Sequence, residues 1–198
     1  MDTYVHLLAG ATVGSLVAEA IDAKVFGGCV LAKNETGSDG PSPWPLLSLG
    51  AAGMISGIAT HVFMDGLPHT DLLVHHGLII PDRLWPLREF IACVASMVAL
   101  VGLTSGRRRL ITLAAGFGGA LPDVESLLIG IDLMDKASAL SPTHNGTIPH
   151  GKDIGWPSAL IEYGSVLLSI GLLWLKSWRG KRLLQKGHDR APVTGAQR

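Results

Sequence analysis

The chemistry-bearing side chains of this sequence gather in Thr60-His61-Val62-Phe63-Met64-Asp65-Gly66-Leu67-Pro68-His69-Thr70-Asp71, with His75-His76 close behind. Neutral imidazole and carboxylate together are the donor set of Zn²⁺, or of Mn²⁺ and Fe²⁺ where carboxylates dominate. His61 and Asp65 are four residues apart, so on a helix they share a face and reach a single divalent ion. Steps of four backward from His61 land on Gly57 and Gly53. The face that carries the donors is therefore also the face with no side chains, where another helix can approach closely.

The same stripe recurs. His6 is followed at four-residue steps by Gly10, Gly14 and Ala18. Asp123 is preceded by Gly119, with Gly116 and Ala120 alongside, and Glu162 has Ser158 four residues before it and Ser165 and Ser169 on the same side. An ionisable group facing lipid costs about 2.5–3.5 kcal/mol on insertion scales, so such groups point into a bundle. Taken singly, each is explained by hydrogen bonding between helices. Taken together, His6, His61, Asp65 and Asp123 are the expected metal ligands.

Two further histidines, His144 and His150, stand in the loop Thr143 to Gly151 and are second choices to close a coordination sphere over the mouth of the bundle. Asp123 and Glu125 follow Leu121-Pro122. Pro122 either kinks a helix interior beside the two carboxylates or opens a helix with both acids in its first turn. No GxSxG, P-loop, HExxH or GxGxxG pattern occurs, and no Ser/His/Asp arrangement is readable. Any chemistry is then metal-assisted, through polarisation of the scissile group and a water whose pKa falls toward about 7. Glu125 is the candidate general base, with Asp65 or Asp123 as alternatives if not ligands.

The elements that must position these groups follow from composition. In 198 residues, 47% are apolar and 16% charged, against about 25% charged in a soluble domain. That points to a membrane protein whose lipid contacts are extensive. A net charge of zero gives no reason to expect nucleic acid as a partner. The expected fold is all-α, a multi-pass transmembrane helical bundle of about five spans near residues 4–21, 45–65, 88–105, 110–131 and 157–175. Each approaches the roughly 20 residues needed to cross a bilayer. The alternative is a soluble helical bundle with buried polar residues. Against it, Trp44, Trp85, Trp156, Trp174 and Trp178 all fall at span ends, where an interfacial belt places them.

Residues 1–180 form one expected transmembrane domain, and 181–198 a basic, disordered cytoplasmic tail. Asn34 to Pro45 reads as a flexible linker, and Leu72 to Ile80 as an interfacial or re-entrant helix. The first span lacks a basic n-region and has Glu19 where a cleavage site would want small residues, so it reads as retained. Cys29 and Cys93 read as packing residues. With the N-terminus outside, twelve Lys and Arg fall inside and four (Arg83, Arg88, Lys136, Lys152) outside, as the positive-inside rule favours for a cytoplasmic or inner membrane. That orientation places every candidate ligand at or near the outer side.

These residues resemble the membrane-bound metal-dependent hydrolases, the YdjM-like inner-membrane proteins. The carrying motifs are His6 with Gly10, Leu121-Pro122-Asp123, the His144 to His150 pair, and His61-x-x-x-Asp65. The motif order differs, since His-x-x-x-Asp comes before Leu-Pro-Asp here, and Glu125-Ser126 stands where the family has Asp-His. The histidines of the pair are one residue further apart. The resemblance implies a multi-pass helical fold, a divalent metal and hydrolysis; the site's position at the membrane surface points to a lipid-linked or phosphoester substrate. The alternatives are a metal-ion or proton transporter, which needs polar groups continuing inward through Glu19 and Asp22, and a structural membrane protein.

Overall fold

The computed structural model describes residues 3–32, 43–68, 85–130, 132–135, 138–143, 145, 147–148, 151–152 and 154–188. Among the described residues six helices follow in order: α1 (Thr3–Val25), α2 (Cys29–Ala32), α3 (Pro43–Asp65), α4 (Trp85–Leu103), α5 (Gly106–Gly130) and α6 (Trp156–His188). No strand occurs among the described residues. Each of the five apolar segments expected from the sequence is a helix. Three are long and apolar enough to cross a membrane: α1, α3 and the Trp156–Trp178 part of α6. A shorter apolar stretch, Phe90–Leu103, lies in α4. Helix α5 is apolar only between Leu110 and Pro122, with Arg107, Arg108 and Arg109 before and Asp123 and Glu125 after.

Helices α1, α3 and α5 pack on one another most extensively, and α4 and α6 lean against α1. The reason is steric. A Cβ added to Gly10 would come within 2.8 Å of the Gly119 Cα, and one added to Gly57 would meet the carbonyl oxygen of Ala115. Backbones this close allow no side chain between them, so dispersion contacts run along the helix axes themselves. Leu7, Leu8 and Ala11 of α1 then pack with Leu100 of α4 and Leu173 of α6, while Ala18, Val30, Leu49 and Ile111 join α1, α2, α3 and α5 nearer the other end.

Beside an apolar core that includes Val5, Leu49, Leu100 and Leu173, the bundle buries many polar side chains and exposes many large apolar ones. Buried positions include His6, Thr12, Ser15, Asp22, His61, Asp65, Ser158 and Glu162, whereas Ile55, Phe63, Phe90, Val98, Leu160 and Leu167 are exposed. Apolar outer faces and a small, polar interior suit lipid as the solvent. Central α1 tolerates its polar residues because 61% of its apolar window is buried, against 22% for α3 and 28% for the α6 span.

The end of the bundle opposite His6 is held by charge. Asp22 accepts from the amides of Val30 and Leu31, each at 3.1 Å, capping α2. Glu19 pairs with Lys176 at 2.9 Å and lies 3.9 Å from Arg108. Arg107 donates to the Val30 carbonyl at 3.0 Å. His6 and Glu19 are thirteen positions apart on α1, which at 1.5 Å per residue is about 20 Å.

Two expectations are corrected by helix continuity. The boundary at residue 180 falls inside α6, which runs to His188 because Lys, Arg, Leu and Gln are strong helix formers. Pro43, Trp44 and Pro45 open α3 rather than belonging to a linker, since proline suits a first helical turn. The rest of that linker (34–42), the stretch Leu72 to Ile80 and residues 189–198 lie outside the described residues.

The packing predicts a sharp contrast between two glycines of α3. Gly57→Ala should cost about 1–3 kcal/mol, the usual penalty of overpacking. Gly50→Ala, where a Cβ meets nothing within 4 Å, should be neutral or stabilising because alanine favours helix. Thermal unfolding of the two variants in one detergent checks this.

Candidate metal centre

Three helices bring four of the expected ligands together. His6 comes from the first turn of α1, His61 and Asp65 from the last turns of α3, and Asp123 from α5 one position past Pro122. His6, His61 and Asp65 are each at most 1% exposed, and Asp123 is 17% exposed. His6 Nε2 stands 3.4 Å from Asp65 Oδ1, and His61 Nε2 stands 3.0 Å from Asp65 Oδ2. One donor atom from each of His6, His61 and Asp65 lies within 4.8 Å of the others. The imidazole rings meet edge to face with centroids 3.9 Å apart.

The remote ring nitrogens decide what the near ones can do. His61 Nδ1 lies 2.7 Å from the carbonyl oxygen of Gly119. A carbonyl only accepts, so Nδ1 carries the hydrogen, and in the neutral ring Nε2 presents its lone pair. His6 Nδ1 lies 3.2 Å from Asp123 Oδ2, and a carboxylate likewise fixes the hydrogen on Nδ1. Both Nε2 lone pairs are thereby turned toward the acceptor oxygens of Asp65. Acceptors facing acceptors repel unless a proton or a metal cation lies among them.

Protonating both rings would supply that charge, but it would set two imidazolium ions with centroids only 3.9 Å apart. One divalent ion supplies the same charge at a single point between the donors, and it balances the two carboxylates of Asp65 and Asp123. The 3.4 and 3.0 Å contacts run to different oxygens of Asp65, and one ligand atom from each of the three residues lies within 4.8 Å of the others, against roughly 3–3.5 Å between adjacent ligand atoms around a bound ion. His6, His61 and Asp65 are thus a buried group that could hold a metal ion through two imidazoles and one carboxylate.

Protein-family models, curated proteins and solved structures were compared with the chain. None matches. The centre is consequently described from its own geometry.

Asp123, expected as a ligand, touches the imidazoles on their far side. Its Oδ2 contacts Nδ1 of His6 and lies 3.9 Å from Nδ1 of His61, and it is absent from the three-residue donor group. Glu125, expected as general base, is turned elsewhere. Its two carboxylate oxygens accept from the amides of Leu140 at 3.1 Å and Ser141 at 2.8 Å, pinning the loop after α5. The cause is helical phase: residues two apart point about 200° from each other, so Asp123 and Glu125 cannot serve one site. His144 and His150, like His69, Asp71, His75 and His76, lie outside the described residues. The neighbouring Gly151 is described, and its amide donates to the Asp65 carbonyl at 2.6 Å, which ties that loop to the end of α3.

Glu162 is buried on α6 and is not part of the donor group. The participant missed from sequence is the Gly119 carbonyl. Its signal was indirect: glycine at the four-residue step before Asp123, where the α3 backbone comes near enough for His61 to reach it.

A site of this kind stabilises the fold by linkage. Zn²⁺ or Mn²⁺ at a hundred times its dissociation constant should stabilise the wild type by about 2.7 kcal/mol. The His61→Ala/Asp65→Ala double variant should show no metal-dependent shift. Thermal unfolding with and without chelator, alongside metal content by mass spectrometry, reads both.

Proposed function

We propose that this chain is a multi-pass membrane protein that hydrolyses a lipid-linked or phosphoester substrate with one divalent ion held by His6, His61 and Asp65. The observation that carries this reading is the convergence of two Nδ1-anchored imidazoles on one buried carboxylate. Zn²⁺ is the first choice of metal for two histidines and a carboxylate, with Mn²⁺ and Fe²⁺ as alternatives. Such an ion, when bound, supplies Lewis-acid polarisation and an acidified water. The protein's part is to orient the donors, through Gly119 and Asp123, and to exclude bulk water from them.

The five helices α1, α3, α4, α5 and α6 are read as five spans, with the N-terminus outside and the C-terminus in the cytoplasm. The arginines of α5 and Lys176 lie at the Glu19 end of the bundle, away from His6, and the positive-inside rule puts that end in the cytoplasm. The centre then opens toward the outer face of a cytoplasmic or inner membrane. At that level the reactive bond adjoins a lipid headgroup, which is the support for a lipid-linked substrate. The resemblance to the membrane-bound metal-dependent hydrolases points the same way.

A transport reading needs ionisable groups leading inward from the centre. Glu19 and Asp22 are the expected ones, and both are engaged in ion pairing or helix capping. This favours a site that works at one face.

The test is hydrolysis by the detergent-purified chain of phosphatidyl esters and polyprenyl pyrophosphate, with Zn²⁺ or Mn²⁺ added back after chelation. Metal-dependent turnover, reduced at least 10²-fold in His61→Ala, is the expected result. Stoichiometric metal with no turnover of either substrate class would sink the hydrolase reading. Metal uptake into proteoliposomes dependent on His61 would replace it with transport.

A further inference from the structure

We infer that the Gly119–Asp123 turn of α5 is the outer sphere of the metal centre and that Asp123 is a positioning residue, not a ligand. This rests on the metal reading above and assigns the part that α5 plays in it. The evidence is the contact pattern of one turn. The Gly119 carbonyl holds His61 Nδ1, and four positions on, Asp123 Oδ2 holds His6 Nδ1. One helix thus fixes the tautomer and ring direction of both imidazoles, although the imidazoles come from two other helices. Outer acceptors of this kind set which nitrogen is free to bind and raise its basicity.

The local sequence supports the assignment. A Cβ on Gly119 would strike the His6 carbonyl oxygen, and one on Gly118 would strike the Met54 backbone, so only glycine lets α1 and α3 reach this turn. Pro122 lies inside α5 and has no N–H to give the Gly118 carbonyl. The helix ladder is therefore already interrupted next to the carbonyl that His61 uses. Asp123 also differs from Asp65 in burial, at 17% against 1% exposed. The first value fits a carboxylate at the rim, and the second fits one inside a coordination sphere.

The discriminating experiment uses Co²⁺ as probe metal on the full chain in detergent. It compares wild type, Asp123→Ala and Asp123→Asn. Dissociation constants come from chelator competition, ligand identity from X-ray absorption and the visible spectrum, and tautomers from histidine ¹⁵N shifts. Asparagine keeps an oxygen acceptor for His6 Nδ1–H, whereas alanine removes it. Asp123→Ala should keep the two-imidazole, one-carboxylate donor set but bind Co²⁺ about 10–100-fold more weakly. Its His6 should lose the Nδ1–H signature while His61 keeps it, and Asp123→Asn should recover affinity to within a few-fold of wild type.

Loss of a carboxylate from the cobalt donors in Asp123→Ala, or loss of binding in a folded Asp123→Asn, would overturn the inference and make Asp123 a ligand. If Asp123→Ala does not fold, Asp123→Asn decides alone, because an amide replaces an acceptor but poorly replaces an anionic ligand. Wild type that takes up no Co²⁺ removes the metal centre itself, and with it this inference. Wild type that binds while the variants disagree removes the inference only.

Discussion

The structure depends on how a carboxylate is kept at the meeting point of three helices. Asp65 is 1% exposed in a bundle whose outside is apolar, and an isolated charge there would be far too costly to keep. Compensation has to come from within a few ångströms. The imidazoles of His6 and His61 come within 3.4 and 3.0 Å of it, and they reach Asp65 because α1, α3 and α5 touch backbone to backbone. Glycine at positions 10, 57 and 119 is therefore a condition of the site as much as of the packing. Larger residues would separate the helices and leave each polar group to find its own partner.

The rest of the chain keeps that core in register. Its polar groups are divided between the two ends of α1. Near the start stand His6 and the centre. Near the finish stand Glu19 and Asp22, satisfied by Lys176, Arg108 and the amides of α2. Between them the interior is Leu, Ala, Gly, Thr and Ser, with the hydroxyls of Thr12 and Ser15 returned to α1's own carbonyls. Helices α4 and α6 add the outer apolar layer. The Glu19 and Asp22 pole is satisfied by its own partners, and a stretch of about 20 Å separates it from the centre.

Much of this was legible in the sequence, and what was legible was local. His61 and Asp65 are an i, i+4 pair, and helical geometry alone puts them together. Glycine at four-residue steps from His6, His61 and Asp123 marked the faces that meet, because close packing in lipid demands small residues. Two things were not legible. The role of Asp123 depends on which ring nitrogen it meets, a matter of a few ångströms that spacing does not encode. The Gly119 carbonyl has no side chain to announce it. Glu125 is different in kind, since its separation from Asp123 by two residues already set it on another face of any helix. There the residue types pointed to chemistry while the helical phase pointed away, and the phase prevailed.

The arrangement also differs from that of the bundle's paired end. Polar groups that merely hold membrane helices together satisfy one another, donor to acceptor, as Glu19 does with Lys176. Both Nδ1 hydrogens are spent on α5, one on a backbone carbonyl and one on a second carboxylate, and both lone pairs converge on an anion. A tautomer change that moved either hydrogen to Nε2 would give Asp65 an N–H donor at the cost of the Nδ1 contact with α5. A divalent ion among His6, His61 and Asp65 would draw both lone pairs while both Nδ1 contacts are kept.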